Sequence, residues 1–226
     1  MADQPWWFPD FTVVTDGTDS LLVRPVIGEL DGFGYLEAVP FNDTVIGAPF
    51  RSDADPGTLS NVRNVLGLRA ALDGDVVVVL YNTEPIDLPD LPAVAELSFP
   101  EGELLEPPRY LGGHCLAPGE IVSHPGGGVD IVRQSVGCSA DYDYRLNTPH
   151  PLEVYLGRRP PISLHDATPL RVGAGAYAHS FRVARDGDRL IVVWAETGPS
   201  TLRDRDTGMR RTVEGLFYAV LRCDGT

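Results

Sequence analysis

The amino-acid sequence predicts an all-β protein: an antiparallel β-sandwich or jelly-roll-like barrel, built from hairpins, with little or no helix. The first observation is a pair of Asp-Gly-Asp turns between apolar runs, Asp73-Gly74-Asp75 and Asp186-Gly187-Asp188. An Asp-Gly pair between alternating hydrophobic residues is typical of a two-residue hairpin loop, because glycine tolerates the positive φ that such loops need. The second observation is that apolar runs of strand length recur at short intervals along the chain, as in sandwiches and barrels.

The N-terminal part of the chain reads as strand, turn, strand. FTVV, SLLVRPVIGEL and FGYLEAVPF are the first three predicted strands, separated by Asp-Gly turns. For residues 61–72 both a helix capped by Ser60 and a strand fit the apolar pattern. The interior Gly67 and the Asp-Gly turn that follows favour the strand.

A proline-rich segment, 84–109, interrupts this pattern. Proline removes a backbone donor and fixes φ, so the segment is predicted to be an extended crossover with at most one short strand, AELSF. We expect a single all-β domain over 1–226, or two lobes, 1–83 and 110–226, joined by this crossover. The remaining chain is predicted to form further short strands, from GEIVS to RTVEGLFYAVLRC.

Residues 71–85 and 184–199 echo each other, since each has Ala-x-Asp-Gly-Asp before an apolar strand. Either half of the chain is duplicated, or similar turn chemistry produced similar hairpins, and the second reading is favoured because nothing else aligns.

Three more Asp-x-Asp pairs lie between predicted strands: Asp53/Asp55, Asp141/Asp143 and Asp204/Asp206. These aspartates are either residues of hairpin turns or calcium ligands. The first and third open like a calcium loop but lack its closing bidentate Glu, and arginines surround the third. Asp53/Asp55 and Asp141/Asp143 stay open as ligands, and no cofactor is predicted.

Composition excludes several function classes. The net charge of −14 argues against nucleic acid or an anionic membrane as a partner, since contacts with phosphate need clustered Lys and Arg; all 18 basic residues are Arg. A chain without lysine cannot be a Walker A nucleotidase, a pyridoxal-phosphate enzyme, a Ser-x-x-Lys acyltransferase or a protein kinase. No nucleic-acid or membrane partner is predicted.

Cysteine usage and the N-terminus bear on location. The three cysteines, Cys115, Cys138 and Cys223, fit a reducing compartment, although a Cys115–Cys138 bridge is compatible with the sequence. No signal peptide is recognisable, and the longest apolar runs are too short to span a bilayer. We expect a soluble protein of the cytoplasm or of a virion.

His114, Glu120 and His124 form the best candidate metal cluster. Imidazole and carboxylate groups on adjacent strands are how small barrels bind a metal through N and O ligands. The spacing matches no known metal motif, so loop residues beside a Gly-rich turn are the favoured alternative.

Two segments are candidates for protein contacts. The three consecutive aromatic residues Trp6, Trp7 and Phe8 cannot all share one face of a strand. We therefore expect this N-terminal segment either to pack against one end of its own sandwich or to bind a neighbouring subunit. Arg210 and Arg211 belong to a charged hairpin tip over 203–211. The predicted partners are other protein subunits, in a homo- or hetero-oligomeric assembly.

These features predict a non-enzymatic structural or binding module of a larger assembly, such as a phage virion or tail component. No catalytic residue is assigned, because no catalytic signature is present. The alternative is a small-molecule-binding β-barrel enzyme, of lyase or isomerase type, whose site residues are dispersed.

Overall fold

A computed structural model describes most of the chain, namely residues 11–27, 34–51, 62–85, 91–111, 119–134, 151–164, 167–173, 177–197 and 213–224. In these ranges the only regular structure is β-strand, and all pairing is antiparallel. The predicted all-β class is therefore confirmed.

The strands form four separate sheets. Sheet 1 contains β1 (Thr12–Thr15), β2 (Ser20–Ile27), β3 (Gly34–Phe41) and β4 (Phe50–Arg51). Sheet 2 contains β5 (Val62–Asp73), β6 (Val76–Pro85), β7 (Leu91–Ser98) and β8 (Leu104–Tyr110). Sheet 3 contains β9 (Glu120–Ser123), β10 (Val129–Gln134), β11 (Leu152–Arg158) and β12 (Leu170–Val172). Sheet 4 contains β13 (Tyr177–Asp186), β14 (Arg189–Thr197) and β15 (Val213–Arg222).

Each sheet is an up-and-down meander, because its neighbours in space are also neighbours in sequence. The sheets pack face to face in chain order, and the first strand of each packs against the first strand of the next: β1 on β5, β5 on β9, and β9 on β13. This arrangement resembles a β-propeller of four blades, whose first strands lie around the central axis. The predicted sandwich or jelly roll is wrong, since those folds join strands across two sheets by Greek-key connections.

Three apolar cores fill the spaces between successive sheets. Core 1 lies between sheets 1 and 2, core 2 between sheets 2 and 3, and core 3 between sheets 3 and 4. Along β6, Val77 and Val79 belong to core 1, whereas Val78 and Leu80 belong to core 2. The uninterrupted VVVVL run therefore follows from a strand that is buried on both faces.

The two Asp-Gly-Asp turns are two-residue hairpin loops, as predicted. Asp73 pairs with Val76 and Asp186 pairs with Arg189, so each loop consists of the Gly and the second Asp. The glycines have φ of +61° and +59°, the left-handed region that favours glycine. Residues 62–73 are a strand, which settles the choice between strand and helix.

The proline-rich segment differs from the expectation of at most one short strand, because both β7 and β8 lie in it. Pro92 stands near the start of β7, and Pro107 and Pro108 lie in β8, the outer strand of sheet 2, where pairing is irregular. Prolines are tolerated at strand starts and on edge strands because fewer ladder donors are needed there. The division into one domain or two lobes stays a prediction.

Candidate functional site

Among the described residues, three charged side chains from three different sheets lie together at the axis of the fold, and we call them the axial cluster: Arg69, Glu120 and Arg182. Glu120 begins β9, the first strand of sheet 3. Arg69 lies in β5 and Arg182 in β13, the first strands of the two sheets on either side. The cluster thus stands where three sheets meet, and ligand sites are often found where packed units of a fold meet, as in the mouths of β-barrels.

Both arginines donate to the same carboxylate oxygen. Arg69 Nε lies 3.2 Å and Arg182 Nη1 3.0 Å from Glu120 Oε1. The Glu120 side chain is 11% exposed, against 28% for Arg69 and 70% for Arg182. A nearly buried carboxylate is therefore held between one half-buried and one exposed guanidinium group.

The backbone aims the two arginines in the same way. The register of β5 against β6 shifts between Leu66 and Arg69, and that of β13 against β14 shifts between His179 and Arg182. Each shift has the form of a β-bulge, a device that redirects a side chain and is common beside active sites. Gly67, with φ of +63°, supplies the left-handed residue in the first bulge.

The equivalence of the two arginines extends to their other contacts. Arg69 Nη1 donates to the carbonyl of Leu68, and Arg182 Nη1 donates to that of Phe181, each at 2.8 Å. Aligning Asp73-Gly74-Asp75 with Asp186-Gly187-Asp188 also aligns Arg69 with Arg182. Sequence reasoning missed both arginines, although extending the internal echo by two residues toward the N-terminus would have found them.

The predicted metal cluster is divided in this structure. Glu120 belongs to the axial cluster, and His124 binds a different carboxylate, since its Nδ1 lies 2.7 Å from Asp130 Oδ1. His114 lies outside the described residues. In the part of the chain that the structure describes, no three His, Cys, Asp or Glu side chains converge as metal ligands.

Asp130 is the centre of a second buried group of charges. Its carboxylate is fully buried, forms an ion pair with Arg185 of β13, and accepts the Gly157 N–H at 2.8 Å. Arg185 Nη1 in turn donates to the Cys223 thiol at 3.0 Å. The ion pair of this group links β10 of sheet 3 to β13 of sheet 4.

His124 is neutral by environment. Burial lowers the pKa of His124 below its usual value, and the positive charges of Arg185 and Arg159 lower it further. Arg185 also neutralises Asp130, so the carboxylate does little to favour the imidazolium. The neutral ring then donates Nδ1–H to Asp130.

The remaining predicted residues lie elsewhere. Trp6, Trp7, Phe8, Arg210 and Arg211 are outside the described residues, as are Asp53/Asp55, Asp141/Asp143 and Asp204/Asp206. Contact with other protein subunits therefore stays a prediction. None of the described segments forms a helix of the length and hydrophobicity needed to cross a bilayer.

The sequence matches no protein-family model, and no curated protein is similar to it. The fold is similar to several solved structures. One is the endo-arabinase of Bacteroides thetaiotaomicron, with a TM-score of 0.51 and 10% identity, covering 95% of this chain and 75% of the endo-arabinase. A thermostable family-43 glycoside hydrolase gives a TM-score of 0.51 at 10% identity, over 94% of this chain and 68% of that one. A GH43_12 protein from a capybara gut metagenome gives a TM-score of 0.53 at 13% identity, and the match covers 84% of this chain and 37% of the GH43_12 chain.

These similarities show a shared propeller fold. They contradict the predicted structural or virion module, because the similar solved structures named above are glycoside hydrolases rather than assembly components. The alternative of a lyase or isomerase barrel gains no support either. Both predictions took the fold for a sandwich or barrel rather than a propeller.

Proposed function

We propose that this protein is a glycoside hydrolase whose active site lies at the axis of the propeller. The observation that carries the proposal is Glu120, a nearly buried carboxylate on a first strand where three sheets meet. The similarity in fold to an endo-arabinase and to family-43 hydrolases supports this class of reaction.

Glycosidases use two carboxyl groups on either side of the scissile bond, one as acid and the other as base or nucleophile. Glu120 enters its ion pairs as the carboxylate anion, which is the form of the base or nucleophile and the form that stabilises an oxocarbenium-like transition state. Arg69 and Arg182 are positioning residues for it, because they fix Oε1 from two sides. Preorganised charge of this kind is where much of the catalytic effect of an enzyme resides.

The substrate is proposed from the same relatives as a polysaccharide that contains pentose. The test uses arabinan, xylan and the 4-nitrophenyl glycosides of arabinofuranose and xylose, with release of reducing sugar or nitrophenol as the readout. Activity on at least one of them is expected, and none on any would overturn the proposal.

Glu120→Gln is expected to lower kcat/KM about 100-fold or more, because the amide keeps the shape and the acceptor but removes the charge. Glu106→Gln is the matched control, since Glu106 lies on the outer strand of sheet 2 and is exposed. A thermal melt of both variants shows whether they fold. A folded Glu120→Gln variant with full activity would exclude Glu120 from the reaction.

A further inference from the structure

The axial cluster carries more positive than negative charge. Two guanidinium groups face one carboxylate, so the cluster has a net charge of +1 in a chain whose net charge is −14. An acidic protein repels anions over most of its surface. The axial cluster is therefore a place where this acidic protein can attract an anion.

Both arginines also have donors without an acceptor among the residues that the structure describes. Glu120 accepts one N–H group from each arginine, and Nη1 of each arginine donates to the carbonyl of the residue before it. Within the described ranges, Nε and Nη2 of Arg182 and Nη2 of Arg69 have no acceptor. Because the Arg182 side chain is 70% exposed, its donors can reach a molecule that enters the site.

Glu120 orients the two arginines as much as they orient it. Its ion pairs tie each guanidinium on one side, and the β-bulges before Arg69 and Arg182 direct both toward the axis. Two equivalent arginines held in this way form a preorganised anion site that is open to solvent on the side of Arg182. A planar fork of N–H donors matches a carboxylate better than it matches the hydroxyl groups of a neutral sugar.

We infer that Arg182, assisted by Arg69, recognises the carboxylate of a uronic acid residue, so the substrate is an acidic glycan. This inference rests on the proposed function of the same site and names its substrate class. One excess positive charge fits a monoanionic carboxylate. The sugar would lie over Glu120 with its acidic group on the exposed side, toward Arg182.

The experiment compares the affinity of the protein for each acidic ligand with its affinity for the neutral methyl ester of that ligand. Trigalacturonic acid and a glucuronic-acid-substituted xylo-oligosaccharide are titrated against the protein by calorimetry, beside their methyl esters, which keep the shape but lose the charge. We expect at least one acid to bind about ten times more tightly than its ester, with the preference falling as salt is raised. Equal binding of acid and ester in both pairs would overturn the inference.

Substitutions at Arg182 test whether this residue causes the preference for the acid over its ester. Arg182→Gln should abolish the preference for the acid, and Arg182→Lys should restore only part of it, because an ammonium group lacks the planar fork. Arg171→Gln is the control: Arg171 is equally a surface arginine in an ion pair, but it lies on β12, the outer strand of sheet 3. A preference that persists in Arg182→Gln, or one that disappears in Arg171→Gln, would contradict the assignment.

The result also separates this inference from the hydrolase proposal. Cleavage of a neutral glycan without any preference for acid would support the hydrolase and overturn the acidic substrate. Tight binding of the acid without cleavage of any glycan would support the anion site and overturn hydrolysis. A sulfated disaccharide that displaces the bound acid and binds more tightly would show that the site prefers a tetrahedral anion, contrary to the inference.

Discussion

A single imidazole, His124, connects the packing of sheets 3 and 4 to pH. Its Nδ1–H is committed to Asp130, and its ring lies against Gly126 and Gly157. Burial and then the charges of Arg185 and Arg159 keep its pKa low in the folded protein. In the unfolded chain the pKa of histidine is about 6.5.

The sign of the pH effect follows from that difference. Below about pH 6.5 the unfolded chain binds a proton that folded His124 resists, so unfolding is favoured as the pH falls. The stability contributed by neutral His124 is complete above that value and is lost as the pH falls through the lower pKa of the folded state.

We expect the His124→Asn variant to lose less stability than the wild type between about pH 7.5 and 5.5. The amide N–H of asparagine can replace Nδ1–H but does not titrate. Urea unfolding across that interval measures this, and parallel curves for the two proteins would contradict it.

Among the strands, β6 shows most directly what the sequence predicts and what it hides. Its existence and its hairpin with β5 follow from local signals, namely the apolar run and the Asp-Gly turn. Its surroundings depend on contacts far away in sequence. Four consecutive valines break the alternation expected of a sandwich strand, and this was the available sign of a sheet covered on both faces.

That double burial predicts a specific mutational pattern. Val77 faces core 1 and Val78 faces core 2, and both are fully buried. Val77→Ala and Val78→Ala should each lower the free energy of unfolding by about 2 kcal/mol, since each deletes two methyl groups from a packed interior. Val220→Ala, on exposed β15, should cost far less. Chemical denaturation of the three variants gives the comparison, and a large loss at only one of the two buried valines would indicate a sheet covered on a single face.

For the molecule as a whole, the link between sheets 3 and 4 is both apolar and ionic. Core 3 fills the interface, and in the described part of the chain two ion pairs cross it: Arg182 with Glu120, and Arg185 with Asp130. The second pair is the more buried of the two. Removing one partner of a buried pair leaves the other charge uncompensated, which costs more than the pair itself contributes.

We therefore expect Asp130→Asn to lower the free energy of unfolding by about 3 kcal/mol. The amide keeps an acceptor for the Gly157 N–H but leaves Arg185 without its counter-charge. Arg171→Gln, which removes an exposed partner of Glu153, should change stability by less than about 0.5 kcal/mol. Equal losses in the two variants, measured by urea unfolding, would show that the buried pair has no special role.

The packing of the sheets against one another explains why the site was only partly predicted. Glu120 stood out because it lies among histidines in a Gly-rich stretch, although as a metal ligand rather than as a partner of arginines. Arg69 and Arg182 attract no attention in isolation, because arginine is ordinary on a strand and their convergence depends on how three sheets pack. The four sheets have similar topology, but the sequence signals this similarity only through the echo of two hairpins.

The double burial of β6 also has a consequence for how the chain folds as it is made. The stretch from Val76 to Tyr81 is apolar and rich in β-branched residues, without charge or proline, which is the character of segments that aggregate when exposed. During synthesis sheet 1 is available to cover one face of β6, whereas the other face waits for sheet 3. Until β9 and β10 leave the ribosome, Val78 and Leu80 have no apolar partner from sheet 3, so the growing chain exposes an aggregation-prone face during this interval.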